Sequence, residues 1–125
     1  LKRRECELLT MRNKLSDRRR AVTQKVLHRN ALGAEEEYLV TFGFDGEGTI
    51  REVFCADPRV GSDMHALLTD GCILISIYLQ TGGEPERLVK SMGENRAEGE
   101  SGGPPSSVFG AVARAILAFQ QELHE

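Results

Sequence analysis

One stretch, residues 61–83 (GSDMHALLTDGCILISIYLQTGG), constrains the fold of this chain more than any other. Ser62 is a good N-cap, Asp63 adds favourable negative charge to a first turn, and Gly82-Gly83 is typical of a helix end. Apolar residues recur at spacings of three and four, and others cover the opposite side: Met64, Leu67, Leu68, Cys72, Ile75 and Leu79, then Ile73, Leu74, Ile77 and Tyr78. A helix that is apolar nearly all round has to be buried on more than one face. We therefore predict a long central core helix, with a sheet on one side and helices or a second subunit on the other.

Alternating and β-branched residues before this helix predict three strands, over residues 18–29, 37–44 and 49–56. Asp45-Gly46-Glu47-Gly48 is a strong hairpin connector if both glycines take a positive φ. Alternation places Val22, Gln24, Val26 and His28 on one face of the first strand and Tyr38, Val40, Phe42 and Phe44 on one face of the second, where we interpret Phe42 and Phe44 as core residues. In the third strand, alternation places Ile50, Glu52, Phe54 and Ala56 on one face and Arg51, Val53 and Cys55 on the other. The pattern indicates an antiparallel three-stranded meander.

Two further helices are predicted after the core helix. A short one starts at Glu84-Pro85, with Pro in the first turn and Leu88, Val89 and Met92 inward. Residues 93–105 are rich in Gly and Pro and predict a flexible loop, and a last helix covers residues 106–124. Its stripe is Val108, Val112, Ala115 or Ile116, Phe119 and Leu123. The predicted fold is α+β, three strands followed by three helices, in one domain over residues 18–125 after a basic arm or short helix at 1–17. Because the core helix carries more apolar area than this sheet covers, we expect a homodimer whose seam includes that helix or the last one.

The charge of the chain is unevenly distributed. Residues 1–30 hold ten Lys/Arg against three acids, and the remainder holds six against sixteen. One interpretation is that the basic segment binds a polyanion. The candidate phosphate-binding residues, for a nucleotide or a nucleic acid, are then Arg18, Arg19, Arg20 and Lys25. The other is that the arginines pair with the acidic body of the chain or of a partner subunit, for example with Glu35, Glu36 and Glu37 across the hairpin.

No catalytic constellation is visible in the sequence. Cys6, Cys55 and Cys72 lie far apart, without the close pairs that structural zinc sites use, so we interpret Cys55 and Cys72 as small buried hydrophobes. An odd number of separated cysteines favours a reducing compartment, and we expect a cytoplasmic protein. His65 beside Asp63 is interpreted as a surface or capping residue. We expect no enzyme activity, no cofactor, no metal and, since no run of 18 apolar residues exists, no membrane span.

Three segments together resemble the TSCPD domain: RRRAVTQKV at 18–26, YLVTFGFDGEGTIREVFC at 38–55 and GSDMHALLTDGCILISIYLQTGGEPERLVKSM at 61–92. That domain is found near the C-terminus of adenosylcobalamin-dependent ribonucleotide reductases and in small stand-alone bacterial proteins. The resemblance implies a non-enzymatic accessory module outside the reductase barrel, acting through self-association or an unidentified protein partner. The reductase tails also carry closely spaced cysteine pairs, which this chain lacks. The alternative function is a small binder of nucleic acid or nucleotide phosphates that uses the basic N-terminal segment.

Overall fold

The fold is described from a computed structural model, which covers residue 15 and residues 19–30, 32–56, 61–95 and 102–123. Along the chain these residues form, in order, β1 (Ala21–Arg29), β2 (Glu35–Phe44), β3 (Ile50–Ala56), α1 (Asp63–Gln80), α2 (Pro85–Ser91) and α3 (Val108–Leu123). The predicted α+β order of three strands followed by three helices is confirmed. The predicted arm at residues 1–17 lies outside the described residues apart from Leu15, which is half-buried.

The sheet is an antiparallel meander with strand order β1-β2-β3. The β1–β2 turn closes because the Asn30 side-chain oxygen accepts hydrogen bonds from the N–H groups of Leu32 and Ala34, and Gly33 takes a φ of 84°. On β2 the predicted inner residues, Tyr38, Val40, Phe42 and Phe44, are all buried. Alternation therefore identified the core-facing side of the central strand correctly.

The β2–β3 hairpin corrects two details of the sequence prediction. Gly48 has a φ of 80°, but Gly46 does not adopt a positive φ, because the Asp45 carboxylate closes the turn by accepting from the N–H groups of Glu47 and Thr49. The strand register also shifts between Gly43 and Phe44. Since a one-residue shift reverses the face of a side chain, Ile50 is buried and does not share the exposed face of Phe54.

All three helices lie on the inner side of the sheet or beside it, where α1 packs against β3 and α3 against β1 and α2. The α1 N-cap is Ser62, whose Oγ accepts from the His65 N–H at 3.1 Å, and Gly82 follows the helix with a φ of 92°. The ring of Phe119 in α3 packs in a tilted orientation against the rings of Phe42 and Phe44. The ring centroids are 5.5 Å and 5.9 Å apart. The core contributed by the two long helices consists of Leu68, Cys72, Ile75, Leu79, Val108, Ala111, Val112 and Ile116.

Of the two faces of α1 that we predicted to be covered, the described residues cover one, and the cover of the other by helices or a second subunit stays a prediction. One side of α1 is buried against β3, whereas the opposite side leaves Leu67 60% and Leu74 68% exposed. The stripe predicted for the last helix is buried as far as Ile116, but its final member, Leu123, is 41% exposed. Within the described residues no helix is long and apolar enough to cross a membrane.

The described ends of the predicted 93–105 loop are hydrogen-bonded to each other and to α3. Asn95 donates its N–H to the Pro104 carbonyl at 2.8 Å, and Ser106 donates to the Gly93 carbonyl at 3.0 Å. The Arg114 guanidinium donates to the Gly103 carbonyl at 2.6 Å. The middle of the loop, residues 96–101, lies outside the described residues, so its flexibility stays a prediction.

Candidate functional site

The structure divides the predicted phosphate-binding residues between two faces of the sheet. Arg18 lies outside the described residues. Arg19 and Lys25 belong to the outer face, and Arg20 turns to the inner side, where its guanidinium carbon lies 5.7 Å from the centroid of the Phe44 ring. The three described side chains are therefore not gathered into one patch.

Arg19 is held by a carboxylate from β3. Its guanidinium donates to both oxygens of Glu52, at 2.6 Å and 2.9 Å, in the bidentate geometry that arginine favours. This ion pair lies over Gly43, where an added Cβ would come within 2.7 Å of a Glu52 oxygen. Pairing with the acidic body is thus observed, but with a different partner from the one predicted. In the strand register Glu35, Glu36 and Glu37 lie opposite Arg29, His28 and Leu27, at the end of β1 that is far from Arg19.

The two described cysteines contact each other inside the core. Cys55 of β3 and Cys72 of α1 form no disulfide and are 7% and 2% exposed, which confirms their interpretation as buried residues. The hydrogen bond with the Cys55 thiol, together with burial, raises the pKa of Cys72 far above its usual range. Since the thiolate is the reactive form, the Cys72 thiol is poorly suited to redox exchange. No group of three or more potential metal ligands exists among the described residues, and Cys6 lies outside them.

The described histidines lie within the protein and not in a cleft. His28 is buried on the inner face of β1, opposite Glu36, and its Nε2 has no hydrogen-bond partner within the described part of the chain. His65 is half-buried in the first turn of α1, and its Nδ1 is likewise without a partner there. Neither is accompanied by a nucleophile in the contacts described, and His124 lies outside them.

The outer face of the sheet carries an apolar surface that we name the sheet patch, Leu27, Leu39 and Phe54. These side chains are 52%, 56% and 52% exposed. The register places Lys25 opposite Leu39 and Thr41 opposite Phe54, so the three apolar residues lie on adjacent diagonals, within reach of one another. On the same face of the sheet, the hydroxyls of Thr23 in β1 and Thr41 in β2 form a hydrogen bond of 2.8 Å. Strand alternation placed Leu39 opposite the face of Phe42 and Phe44, but it did not assign the face of Phe54 to the core or to solvent.

A second apolar surface lies on α1, facing away from the sheet. We name it the helix patch, and it consists of Leu67, Ile73, Leu74 and Ile77. The only acidic residues of α1, Asp63 and Asp70, lie on the same exposed side, and the helix contains no Lys or Arg. The described part of the protein therefore presents two apolar surfaces, one on the outer face of the sheet and one on the side of α1 away from the sheet.

Comparison with protein-family models shows the family of this chain. A family model of the TSCPD domain matches residues 10–120, which is most of the chain. The chain belongs to the TSCPD domain family. Searches of the curated proteins and of the solved structures return no significant match for this TSCPD domain.

Proposed function

We propose that this TSCPD domain is a non-enzymatic accessory module that acts by contact with a second copy of itself or with a protein partner. The sheet patch is the observation that carries this proposal. A small sheet covered by helices on one side ordinarily presents a polar outer face to water. Here that face exposes about half of each of three large apolar side chains, which occupy diagonal positions on neighbouring strands. Such areas mark interaction surfaces in small domains. The family's association with ribonucleotide reductases favours the same role.

For a homodimer, the exposed apolar residues of α1 and of the outer sheet face support the helix patch and the sheet patch as candidate seams. The sequence suggested the core helix or the last helix, and α3 buries Val108, Val112 and Ile116 in its own core. Cys55 and Cys72 form no disulfide, which is in keeping with a reducing compartment and supports the proposed cytoplasmic location.

Sedimentation equilibrium across the micromolar range tests the proposal. We expect association, and we expect the double variant Leu39→Ser/Phe54→Ser to weaken it by about tenfold or more, because central apolar anchors dominate interface energy. Leu32→Ser is the matched control, since Leu32 is 95% exposed in the β1–β2 turn and belongs to neither patch. A wild-type protein that stays monomeric, with no partner whose binding the double variant loses, would contradict the proposal.

The alternative function, binding of nucleic acid or nucleotide phosphates through Arg18, Arg19, Arg20 and Lys25, stays a proposal. Arg20 and Lys25 are exposed, which favours it, whereas the Glu52 contact of Arg19 would have to be exchanged for a phosphate. A salt titration of binding to generic DNA and RNA separates the two functions. Affinity that falls steeply with salt and disappears when Arg18, Arg19 and Arg20 are changed to Ala would support phosphate binding. Affinity that is absent at low salt would rule it out.

A further inference from the structure

We infer that the free edge of β1 binds an extended acidic segment of a partner protein by strand addition. The inference rests on the proposed function, since it names the kind of protein partner that the accessory module would contact. Three features of β1 carry it: outward-pointing backbone groups that no described residue uses, a row of cationic and apolar side chains along the edge, and the lack of acidic residues in the strand.

The hydrogen bonds at the two ends of the β1–β2 ladder show which backbone groups of β1 are in use. Phe44 donates its N–H to the Arg20 carbonyl at 3.0 Å, and Asn30 donates to the Ala34 carbonyl at 2.9 Å. In an antiparallel ladder only alternate residues exchange hydrogen bonds with a given neighbour. The even-numbered residues of β1 therefore bond to β2. The backbone groups that point away from β2, at the free edge of the sheet, belong to Ala21, Thr23, Lys25, Leu27 and Arg29.

This edge is long, regular and open in the described part of the protein. The strand has nine residues, contains no Pro, and pairs with β2 without a register shift. None of the residues that the structure describes forms a hydrogen bond with its outward-pointing backbone groups. The other edge strand, β3, is packed against α1. An open edge of this length is a template for a further strand.

The side chains along the edge define what the added strand has to carry. Lys25, Leu27 and Arg29 follow one another at alternate positions on the outer face of the sheet, and all three are exposed. Neither cation forms an ion pair with a described residue, although the register places Glu35 of β2 opposite Arg29. Opposite charges that face each other across a strand pair are stabilising. The complementary segment therefore has an acidic residue opposite Lys25, an apolar residue opposite Leu27 and an acidic residue opposite Arg29.

Charge favours an acidic segment over the β1 strand of a second copy. The charged residues of β1 are Lys25 and Arg29, and the strand has no Asp or Glu. Two β1 strands in one ladder would bring only cations together, and like charges across a strand pair are destabilising. A lysine on an exposed edge is one of the devices that protect natural sheets from pairing with themselves. An acidic strand turns this repulsion into attraction.

Amide hydrogen exchange in the full chain, measured by nuclear magnetic resonance, tests the edge. In the free protein we expect the N–H groups of Lys25, Leu27 and Arg29 to exchange about tenfold or more faster than those of Val26 and His28, which bond to β2. The probe is the peptide Thr-Glu-Thr-Val-Thr-Glu-Thr with both ends blocked. Its binding should slow exchange most at residues 25, 27 and 29. Protection of these three amides in the free protein would overturn the proposal, because the edge would already be occupied.

A control peptide separates strand register from net charge. Thr-Thr-Glu-Val-Glu-Thr-Thr has the same composition, but its glutamates are two residues apart and only one of them is able to face an edge cation. We expect it to bind about threefold or more weakly than the probe in a chemical-shift titration. Equal affinities would overturn the proposal, since net charge alone would then govern binding.

Two substitutions of Lys25 separate backbone pairing from attraction between charges. Lys25→Ala removes the cation, whereas Lys25→Pro removes the cation and also an N–H that β2 does not use, which an edge strand tolerates. We expect the proline variant to bind the probe about threefold or more weakly than the alanine variant, because one hydrogen bond is lost. Equal affinities in the two variants would contradict strand addition.

Charge reversal provides a variant that leaves the backbone intact. We expect Lys25→Glu with Arg29→Glu to weaken binding of the probe by about tenfold or more, and unchanged affinity would overturn the proposal. Far-ultraviolet circular dichroism verifies the fold of each variant, and charge reversal decides the question if Lys25→Pro does not fold. Leu39 and Phe54 are retained in all of these variants, so failure here is distinct from failure of the association test of the sheet patch.

Discussion

Ser76 joins α1 to the edge of the sheet with a single hydroxyl. Its Oγ accepts from the Val53 N–H at 3.0 Å and donates to the Val53 carbonyl at 3.2 Å, and Ser76 is 7% exposed. Both backbone groups would be buried without partners if the hydroxyl were removed. We expect Ser76→Ala to lower the free energy of unfolding by about 1–3 kcal/mol. Urea denaturation measures it, with Thr69→Ala as the control because the Thr69 hydroxyl bonds its own helix on the exposed side. Equal losses in the two variants would contradict this role.

Asp45 makes the stability of the hairpin depend on pH. Burial alone would raise the pKa of Asp45, but hydrogen bonds from the Thr49 N–H, Arg51 and the Glu47 N–H outweigh it, so the pKa is lowered. A lowered carboxyl pKa stabilises the folded protein above the unfolded-state pKa, and that contribution is lost as pH falls through the folded-state pKa.

We accordingly expect Asp45→Asn to cost about 0.5–1 kcal/mol near neutral pH, where the Arg51 pair is partly shielded from solvent. The difference between the wild type and the variant should shrink as the pH is lowered below about 4. Urea denaturation at a series of pH values checks this expectation. A difference that stays constant down to the acid limit would show that the Asp45 charge does not contribute.

At the scale of the elements, Gly71 allows α3 to approach α1. A Cβ at residue 71 would lie 2.2 Å from two ring carbons of Phe109. Replacement of glycine by alanine inside a helix is ordinarily favourable by up to about 1 kcal/mol, but here the ring would have to move. We expect Gly71→Ala to destabilise the protein by about 1–3 kcal/mol. In a Phe109→Ala background the same change should become neutral or favourable, which a double-mutant cycle in urea would detect. Destabilisation of equal size in both backgrounds would show that contact with the Phe109 ring is not the cause.

Sequence patterns predicted the elements because each depends on residues close together in the chain. Alternation identified the inner face of β2, and Ser62 and Gly82 marked the ends of α1. The face of Ile50 was missed because it depends on a register shift in a neighbouring strand.

The site residues were harder to predict because their partners are distant in the chain. Arg19 and Glu52 are 33 residues apart, and Ser76 and Val53 are 23 apart. Local spacing carries no signal for such pairs. For the same reason the sequence placed Leu39 opposite the face of Phe42 and Phe44 but did not show that Leu39 and Phe54 share an exposed face.

At the scale of the whole molecule, the thiols of Cys55 and Cys72 report on opening of the core. Both are enclosed between β3 and α1, and the pKa of Cys72 is raised. In a Cys6→Ser variant we expect both thiols to react with a disulfide reagent only when the domain unfolds, with a rate that rises with urea in step with global unfolding. Rapid labelling of the native protein without urea would show that α1 separates from the sheet locally.

The Ser76 contact with Val53 also limits how this molecule is able to polymerise. A strand from another chain pairs with a sheet by using free backbone groups at its edge. In the middle of β3 both backbone groups of Val53 are hydrogen-bonded to the Ser76 hydroxyl. At the start of the strand Ile50 donates its N–H to the Gln120 side chain. Strand addition is therefore directed to β1, the other edge. Two molecules joined along β1 would leave β3 as the outer edge of each, where the Ile50 N–H and both backbone groups of Val53 already have partners, which disfavours further growth into a fibre.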